Sequence, residues 1–282
     1  MTFPIMPMDE WISSLVDWLV TTFAGFFDGI SLAIGTVISG LEDFLLWVPW
    51  WVIIPAFGLL AWRLAKWRIA IFVVLGLYFI GTLGLWERAM ETLSLVSVAV
   101  LISIVFAIPL GIWAARNDTV DKVIRPILDT MQTMPSFVYL IPAIMFFGIG
   151  NVPGVVATVI FAVPPGVRLT NLGIRGVSAD VVEAATAFGT TPWQLLVKVQ
   201  LPLAIPTVLA GINQMIMLAL SMVVIGAMIG AGGLGHTVYW GISRVDVGRG
   251  FIGGIAIVII AIILDRITTA IAKPKYLQTR SK

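Results

Sequence analysis

Residue types that do covalent or metal chemistry are scarce in this 282-residue chain. It has no cysteine, which removes disulfides and thiolate metal sites. A single histidine, His236, cannot make a His-rich metal centre, so no metal site is expected. The pattern G-x-x-x-x-G-K-[ST], whose backbone cradles nucleotide phosphates, occurs nowhere. Gly230-Ala-Gly232-Gly233-Leu-Gly235 satisfies G-x-G-x-x-G, but a dinucleotide site needs a strand before it and a helix after it, in water. Here the pattern ends an apolar run. The stretch best suited to chemistry is one of recognition: 183–202, EAATAFGTTPWQLLVKVQLP, a polar-edged, helix-forming island between long apolar runs.

The elements that must position this island are membrane spans. The chain is 59% hydrophobic and 11% charged, with a mean hydropathy of +1.04. A soluble domain carries roughly 25% charged residues. The apolar runs are continuous and about 20 residues long, which argues for spanning helices rather than a period-two barrel. Seven spans are expected, over 47–62, 69–86, 92–115, 131–149, 155–169, 207–231 and 251–272. The fourth is interrupted by Pro135 and Pro142, the fifth by Pro164 and Pro165. Between the third and fourth, 116–129 reads as a charged loop. Trp47, Trp50, Trp51 and Trp62 mark the ends of the first span, as an aromatic belt does.

Lys and Arg set the orientation. With the C-terminus inside, 14 of them fall on the inner side, and only Arg88, Arg244 and Arg249 fall outside. The opposite threading reverses that ratio, so the N-terminus is out and the C-terminus in. Residues 1–62 contain no Lys or Arg and include Asp9, Glu10, Asp17, Asp28, Glu42 and Asp43. Without a basic n-region no cleaved signal is expected. Residues 1–46 are an acidic N-terminal extension of interfacial scaffold helices on the outer surface, although 21–40 is apolar enough to span once. Residues 47–90 hold two transmembrane helices, 91–272 a core with a long inner loop at 178–206, and 273–282 a basic cytoplasmic tail.

The inner loop has the local signals of a two-helix hairpin. Ser178 is placed to cap a first helix whose positive end is favoured by Asp180 and Glu183. Gly189 is placed to end it in a left-handed turn. Thr191 then caps a second helix with Pro192 at its first position and Gln194 completing a capping box. Pro202 and Pro206 stop that helix before the next span. Trp193, Leu195, Leu196 and Val199 give it an apolar side that rests on the membrane base or on a partner.

The spacing Glu183-Ala184-Ala185, three residues, Gly189, nine residues, Val199, one residue, Leu201-Pro202 resembles the E-A-A-x3-G-x9-I-x-L-P loop of ABC-importer permeases, with Val199 where Ile is usual. From about residue 92 to 269, including TMPSFVYLIPAIMFFGIG, LALSMVVIGAMIGAGGLG and GGIAIVIIAIILDRIT, the chain resembles permeases of glycine betaine/proline-type osmoprotectant importers. The resemblance implies an all-α polytopic membrane protein with a type I ABC importer transmembrane fold, in the bacterial plasma membrane. It implies a coupling loop, formed by the matching positions, that seats on a cytoplasmic ATPase. The partners it implies are two ATPase copies, which bind ATP and Mg, an extracytoplasmic substrate-binding protein that holds the high-affinity aromatic cage, and a second permease copy. The chain itself needs no cofactor and is no enzyme. Transport of glycine betaine or a related osmoprotectant would proceed by alternating access. A permease for choline, proline betaine or an amino acid is the alternative, and a secondary carrier a more distant one. Against the carrier, Asp265 is the one acidic residue well inside a late run, beside Arg266, where an ion pair or snorkelling fits better than a proton relay.

Asn213, Gln214 and Ser221 interrupt the sixth span, and either line a translocation path or join helices. Pro142 and Pro164 are candidate path walls, because freed carbonyls are tolerated where they line a cavity. Gly230, Gly232, Gly233 and Gly235 form either a flexible outer break that approaches the binding protein or pore mouth, or a plain helix end.

Overall fold

The computed structural model describes residues 8–272. The basic tail expected over 273–282 lies outside the described residues. Among those described there are only helices and their connections: α1 Met8–Thr22, α2 Ala24–Trp47, α3 Trp50–Leu64, α4 Trp67–Thr82, α5 Trp86–Arg116, α6 Asp118–Thr133, α7 Leu140–Phe147, α8 Asn151–Arg175, α9 Ala179–Ala187, α10 Pro192–Leu195, α11 Leu201–Ala227, α12 Leu234–Ser243 and α13 Val247–Ala272. A lipid interior offers backbone groups no partner, so helices that satisfy their own hydrogen bonds are the form that apolar runs can take.

The core is a three-helix contact in which α8 lies between α5 and α11. Small residues make it possible. A Cβ on Gly166 would sit 2.5 Å from Met215 Sδ of α11 and 2.7 Å from Ala107 Cβ of α5. One turn deeper into each pair, Gly111 abuts Thr170 and Gly211 abuts Leu169. Apolar helices gain no hydrophobic drive against lipid, so van der Waals contact at close approach holds them. Ala107, Ala162, Val163, Val167 and Met215 fill the junction, all buried.

Four of the seven expected spans, those in α5, α8, α11 and α13, are long and apolar enough to cross a membrane. Three features differ from expectation. Residues 116–129 are not a loop: they form most of α6, whose first amides at Thr119 and Val120 are capped by the Asn117 side chain at 2.9 and 3.2 Å. Val120, Ile124, Leu128 and Met131 recur at helical spacing there, a period masked by the surrounding charges. The fourth span is consequently short. A 3-10 turn, Ser136–Tyr139, leads into the eight residues of α7, bent 107° from α6. By contrast α8 runs unbroken through Pro164 and Pro165, both buried. They leave the carbonyls of Ile160 and Phe161 without helical donors, yet the helix continues through them, packed on both sides.

α3 and α4, 15 and 16 residues, form a close hairpin packed on α13 through Ile54, Ala61, Val73, Leu77, Ile263 and Ile267. α2 is as long and apolar as a span and packs against α5, α7 and α8. Phe27 stacks on Phe146 at the end of α7 (4.6 Å between centroids). Gly35 lies over Val152 in the first turn of α8. The Ile38 carbonyl accepts from Ser94 Oγ of α5 at 2.9 Å. Leu45 and Val48 pack beside Leu85 and Met90, just around the start of α5. Ile34, Ile38 and Leu41 also pack with Leu95, Val98 and Ala99, about two to four turns into α5, and with Val155 of α8.

Gly166→Leu should therefore break the α5–α8–α11 contact, at a cost of about 1–3 kcal/mol or more. A fall of several degrees in the unfolding midpoint of the detergent-solubilised protein is expected. Gly25→Leu, at a position with nothing within 4 Å, should leave it in place. Equal midpoints for the two variants would contradict this packing.

Candidate functional site

The inner loop folds as the local signals require, and its two turns are closed by backbone and side-chain hydrogen bonds. Gly189 has φ +79, a conformation that a side chain would strain. Around it the Thr190 amide reaches Ala185 O (3.3 Å) and the Gly189 amide reaches Thr186 O (2.9 Å). This is the paired arrangement of a Schellman end. Thr190 Oγ1 donates a further bond to Ala185 O at 2.8 Å. Next comes the reciprocal capping box: Gln194 N to Thr191 Oγ1 at 3.3 Å, and Thr191 N to Gln194 Oε1 at 3.0 Å. At the first end the expected side-chain cap is missing. Ser178 occupies the N-cap position, but only its carbonyl is engaged, by the amides of Val181 and Val182. The residue is exposed, so water can serve the remaining amides.

Pro202 and Pro206 do not stop the second helix, contrary to the expectation from sequence. α10 passes through a π turn, Leu196–Gln200, directly into α11. Pro202 has no N–H for the carbonyl four residues back. The wider i→i+5 bond from Leu201 N to Leu196 O sets the chain around that gap. The loop and the sixth span are thus one continuous rod.

Its apolar side is divided. Leu196 is 1% exposed and lies with Ile174 and Ala204, packed by Ile112 and Ala115, so it bolts the rod to the inner ends of α5 and α8. Trp193 is 65% exposed and Phe188 92% exposed. α9 buries none of its residues, and Glu183 and Ala184 are open to solvent. The hairpin brings Glu183, Ala184, Ala185 and Gly189 together at its tip; Val199, Leu201 and Pro202 sit in and just beyond the π turn. Phe188 was missed in the sequence. Its signal was that a large apolar residue directly before a left-handed glycine has no neighbour of its own to pack on.

Beside the hairpin, charged groups tie α6 to α8. Arg175 binds Asp118 Oδ1 (2.7 Å), Asn171 Oδ1 (2.9 Å) and the Ala114 carbonyl (2.8 Å). Asn171 Nδ2 in turn donates to Asp121 Oδ1 (2.7 Å), and Asp121 pairs with Arg125 (2.6 Å). Arg168 pairs with Asp129.

The other candidate residues are dispersed. Asn213 Nδ2 donates to Asp265 Oδ1 of α13 at 2.8 Å, so that side chain joins helices. Gln214 and Ser221 lie on the exposed face of α11 with Met217 between them, and Ser221 Oγ bonds back to Met217 O. Pro142 is half-buried in the first turn of α7, whereas Pro164 is buried in the core. The glycine-rich outer segment is a locked junction rather than a flexible break. Leu234 N donates to Thr92 Oγ1 (2.7 Å) and Gly232 N to Asn151 Oδ1 (2.8 Å). A Cβ on Gly235 would meet Val223 O at 2.1 Å, and one on Gly233 would meet Thr92 Oγ1 at 2.4 Å. The close approach of these backbones fixes the glycines.

Comparison with known proteins gives a consistent result. Residues 107–274 match the family described as binding-protein-dependent transport system inner membrane component. Over 279 residues the chain is 55% identical to the glycine betaine/carnitine transport permease protein GbuB of Listeria monocytogenes serotype 1/2a (strain 10403S), covering 96% of this chain and 97% of that one. It is 53% identical over 272 residues to the glycine betaine transport system permease protein OpuAB of Bacillus subtilis (strain 168), covering 96% of each. To the glycine betaine/proline betaine transport system permease protein ProW of Escherichia coli (strain K12) it is 51% identical over 269 residues, covering 95% of this chain and 76% of that one. Among solved structures, an inward-facing MetNI methionine ABC transporter superimposes with a TM-score of 0.60 at 22% identity, covering 64% of this chain and 91% of that one. The fold is that of a type I importer transmembrane domain.

Arg175→Ala removes three bonds at a site about one-third exposed, a loss of about 1 kcal/mol once solvent screening is allowed for. Amide exchange across α6 is expected to quicken about fivefold in that variant. Unchanged exchange would mean that α6 is held by Leu128 packing alone.

Proposed function

This chain belongs to the binding-protein-dependent transport system inner membrane components, and from that premise we propose that it is the permease subunit of an ATP-driven importer for glycine betaine or a related osmoprotectant. It is a multi-pass protein of the inner membrane and a transport component. The observation that carries the proposal is the exposed hairpin: a tip closed by a Schellman turn and a capping box, on a rod bolted to the membrane base by Leu196. A loop so fully hydrogen-bonded, with Phe188 and Trp193 left in water, is built to seat in another protein. Burying each of those rings is worth about 1.5–3 kcal/mol.

In this reading the hairpin docks on a cytoplasmic ATPase, which binds ATP and Mg and does the hydrolysis. Glu183 meets a cation of that partner, and Ala184 and Ala185 let its backbone approach. Val199, Leu201 and Pro202 keep the hairpin in line with α11, so a displacement of the tip moves the span rather than bending a linker. The α6–α8 ion pairs carry the same displacement to the α6–α7 bend. A homodimer with two ATPases fits the open face of α11, since Gln214 and Ser221 are costly against lipid and a second copy covers them. Those two facing surfaces then flank the path for alternating access. α1 and α2 act as a scaffold along the outer surface, and the locked junction at Gly230, Gly232, Gly233 and Gly235 presents a firm outer edge to an extracytoplasmic binding protein. The substrate class rests on the relatives, whose printed names share glycine betaine.

Glu183→Lys and Gly189→Asp are expected to leave the permease inserted while abolishing uptake and copurification with the ATPase. Phe188→Ala should weaken copurification about tenfold or more, the equivalent of about 1.5 kcal/mol. Uptake at normal rates in these variants, or sustained accumulation with the ATPase absent, would remove this reading. For the substrate, unlabelled glycine betaine should compete with labelled glycine betaine more strongly than choline or an amino acid in the assembled system.

A further inference from the structure

The α3–α4 hairpin lies outside the residues matched by the family and takes no part in the inner loop, its ion pairs or the open face of α11. Its turn carries Arg63, Lys66 and Arg68, all exposed, on the inner side. Among the described residues none of the three has a carboxylate within 4.0 Å. On the same side Arg125, Arg168, Arg175 and Arg266 are each paired.

An open groove of about 710 Å³ runs from this turn between the two helices, lined by Gly58, Leu59, Trp62, Trp67, Ala70 and Ile71 among others. Gly58 and Ala70 keep its floor low, and Gly58 is so close to α4 that a Cβ would fall 2.6 Å from Val74 Cγ2. Trp62 and Trp67, 62% and 60% exposed, flank the mouth, and the Arg68 guanidinium lies 5.6 Å from the Trp67 ring centre. At 1.5 Å per residue the groove extends about 10–12 Å along the helices, within one leaflet of a core about 30 Å thick. The helices themselves are about 22–24 Å long, shorter than that core, a mismatch that local thinning of the bilayer can accommodate and that brings headgroups toward the turn. The topological role of Lys and Arg accounts for the sign of these charges. It does not account for an apolar groove whose flanking Trp62 and Trp67 are the immediate chain neighbours of three uncompensated cations. A soluble anion would use the turn and leave the groove empty; a ligand with one negative head and an apolar tail uses both.

We propose that this turn and groove bind one anionic phospholipid of the inner leaflet, its phosphate among Arg63, Lys66 and Arg68 and one acyl chain between Trp62 and Trp67. Because α3 and α4 pack on α13 through Ile263 and Ile267, the bound lipid braces the helix whose Asp265 holds Asn213 of α11.

The test uses the assembled transporter in nanodiscs of equal parts phosphatidylglycerol and phosphatidylcholine, with retained lipids counted by native mass spectrometry after detergent release. The wild type is expected to keep phosphatidylglycerol with a preference of about tenfold or more over phosphatidylcholine. The triple variant Arg63→Gln, Lys66→Gln, Arg68→Gln should lose that preference. Ala70→Phe, which fills the groove and keeps the charges, should lose the retained lipid as well. Lys122→Gln, on the same side but on α6 and not lining this groove, should behave as wild type. Equal retention of the two lipids by the wild type, or phosphatidylglycerol retained unchanged in either the triple or the Ala70→Phe variant, would overturn the proposal. So would an equal loss in Lys122→Gln, which would reduce the effect to general surface charge.

Discussion

Where α5, α8 and α11 meet, residue 166 has room for a hydrogen atom and nothing larger. Met215 and Ala107 close on Gly166 from either side, and the glycines at 111, 173 and 211 repeat the arrangement along α8. In lipid there is no water to expel between helices, so this closeness is the attraction itself. The rest of the architecture depends on it. α8 can carry two consecutive prolines because its neighbours hold it in place. α11 can begin with a π turn because α8 and α5 supply the surface on which Leu196 rests.

That packing makes the inner loop mechanical. A hairpin on a flexible linker would move without consequence for the membrane. Here the hairpin's second helix continues into α11, and the ion pairs of Arg168 and Arg175 clamp α6 to the end of α8. The exposed tip and the sixth span are therefore parts of one helical rod. The apolar residues divide accordingly: Leu196 faces inward and holds the rod, and Phe188 and Trp193 are exposed. The outer side is built differently. The junction after α11 is tied to Thr92 and Asn151, and the Ile38 carbonyl of α2 to Ser94 of α5.

Polar groups inside the bundle show how far a residue's type is from its role. Asn213 and Ser221 are both polar and share a span, yet one joins α11 to α13 and the other folds back on its own helix. Asp265, beside Arg266, has that asparagine as its shorter contact. A side chain's partner in a bundle depends on rotation and depth, which differ by residue along one helix.

Sequence alone determined whatever depends on near neighbours or on totals. Hydropathy gave spanning helices, the placement of Lys and Arg gave the orientation, and the two turns at Gly189 and at Thr191–Gln194 were legible because their bonds join residues three to five apart. α6 was equally local, and its apolar period was obscured only by charges that later proved to be partners for α8. Tertiary structure decided the remainder: that Pro164 and Pro165 leave α8 whole, that Pro202 lies in a continuous rod, and that the outer glycines are tied to Thr92 and Asn151. Each of these depends on an atom far away in the chain, such as Met215 against Gly166 or Glu91 against Gly232. Distances of that kind are set by how helices pack, and no spacing along the sequence encodes them.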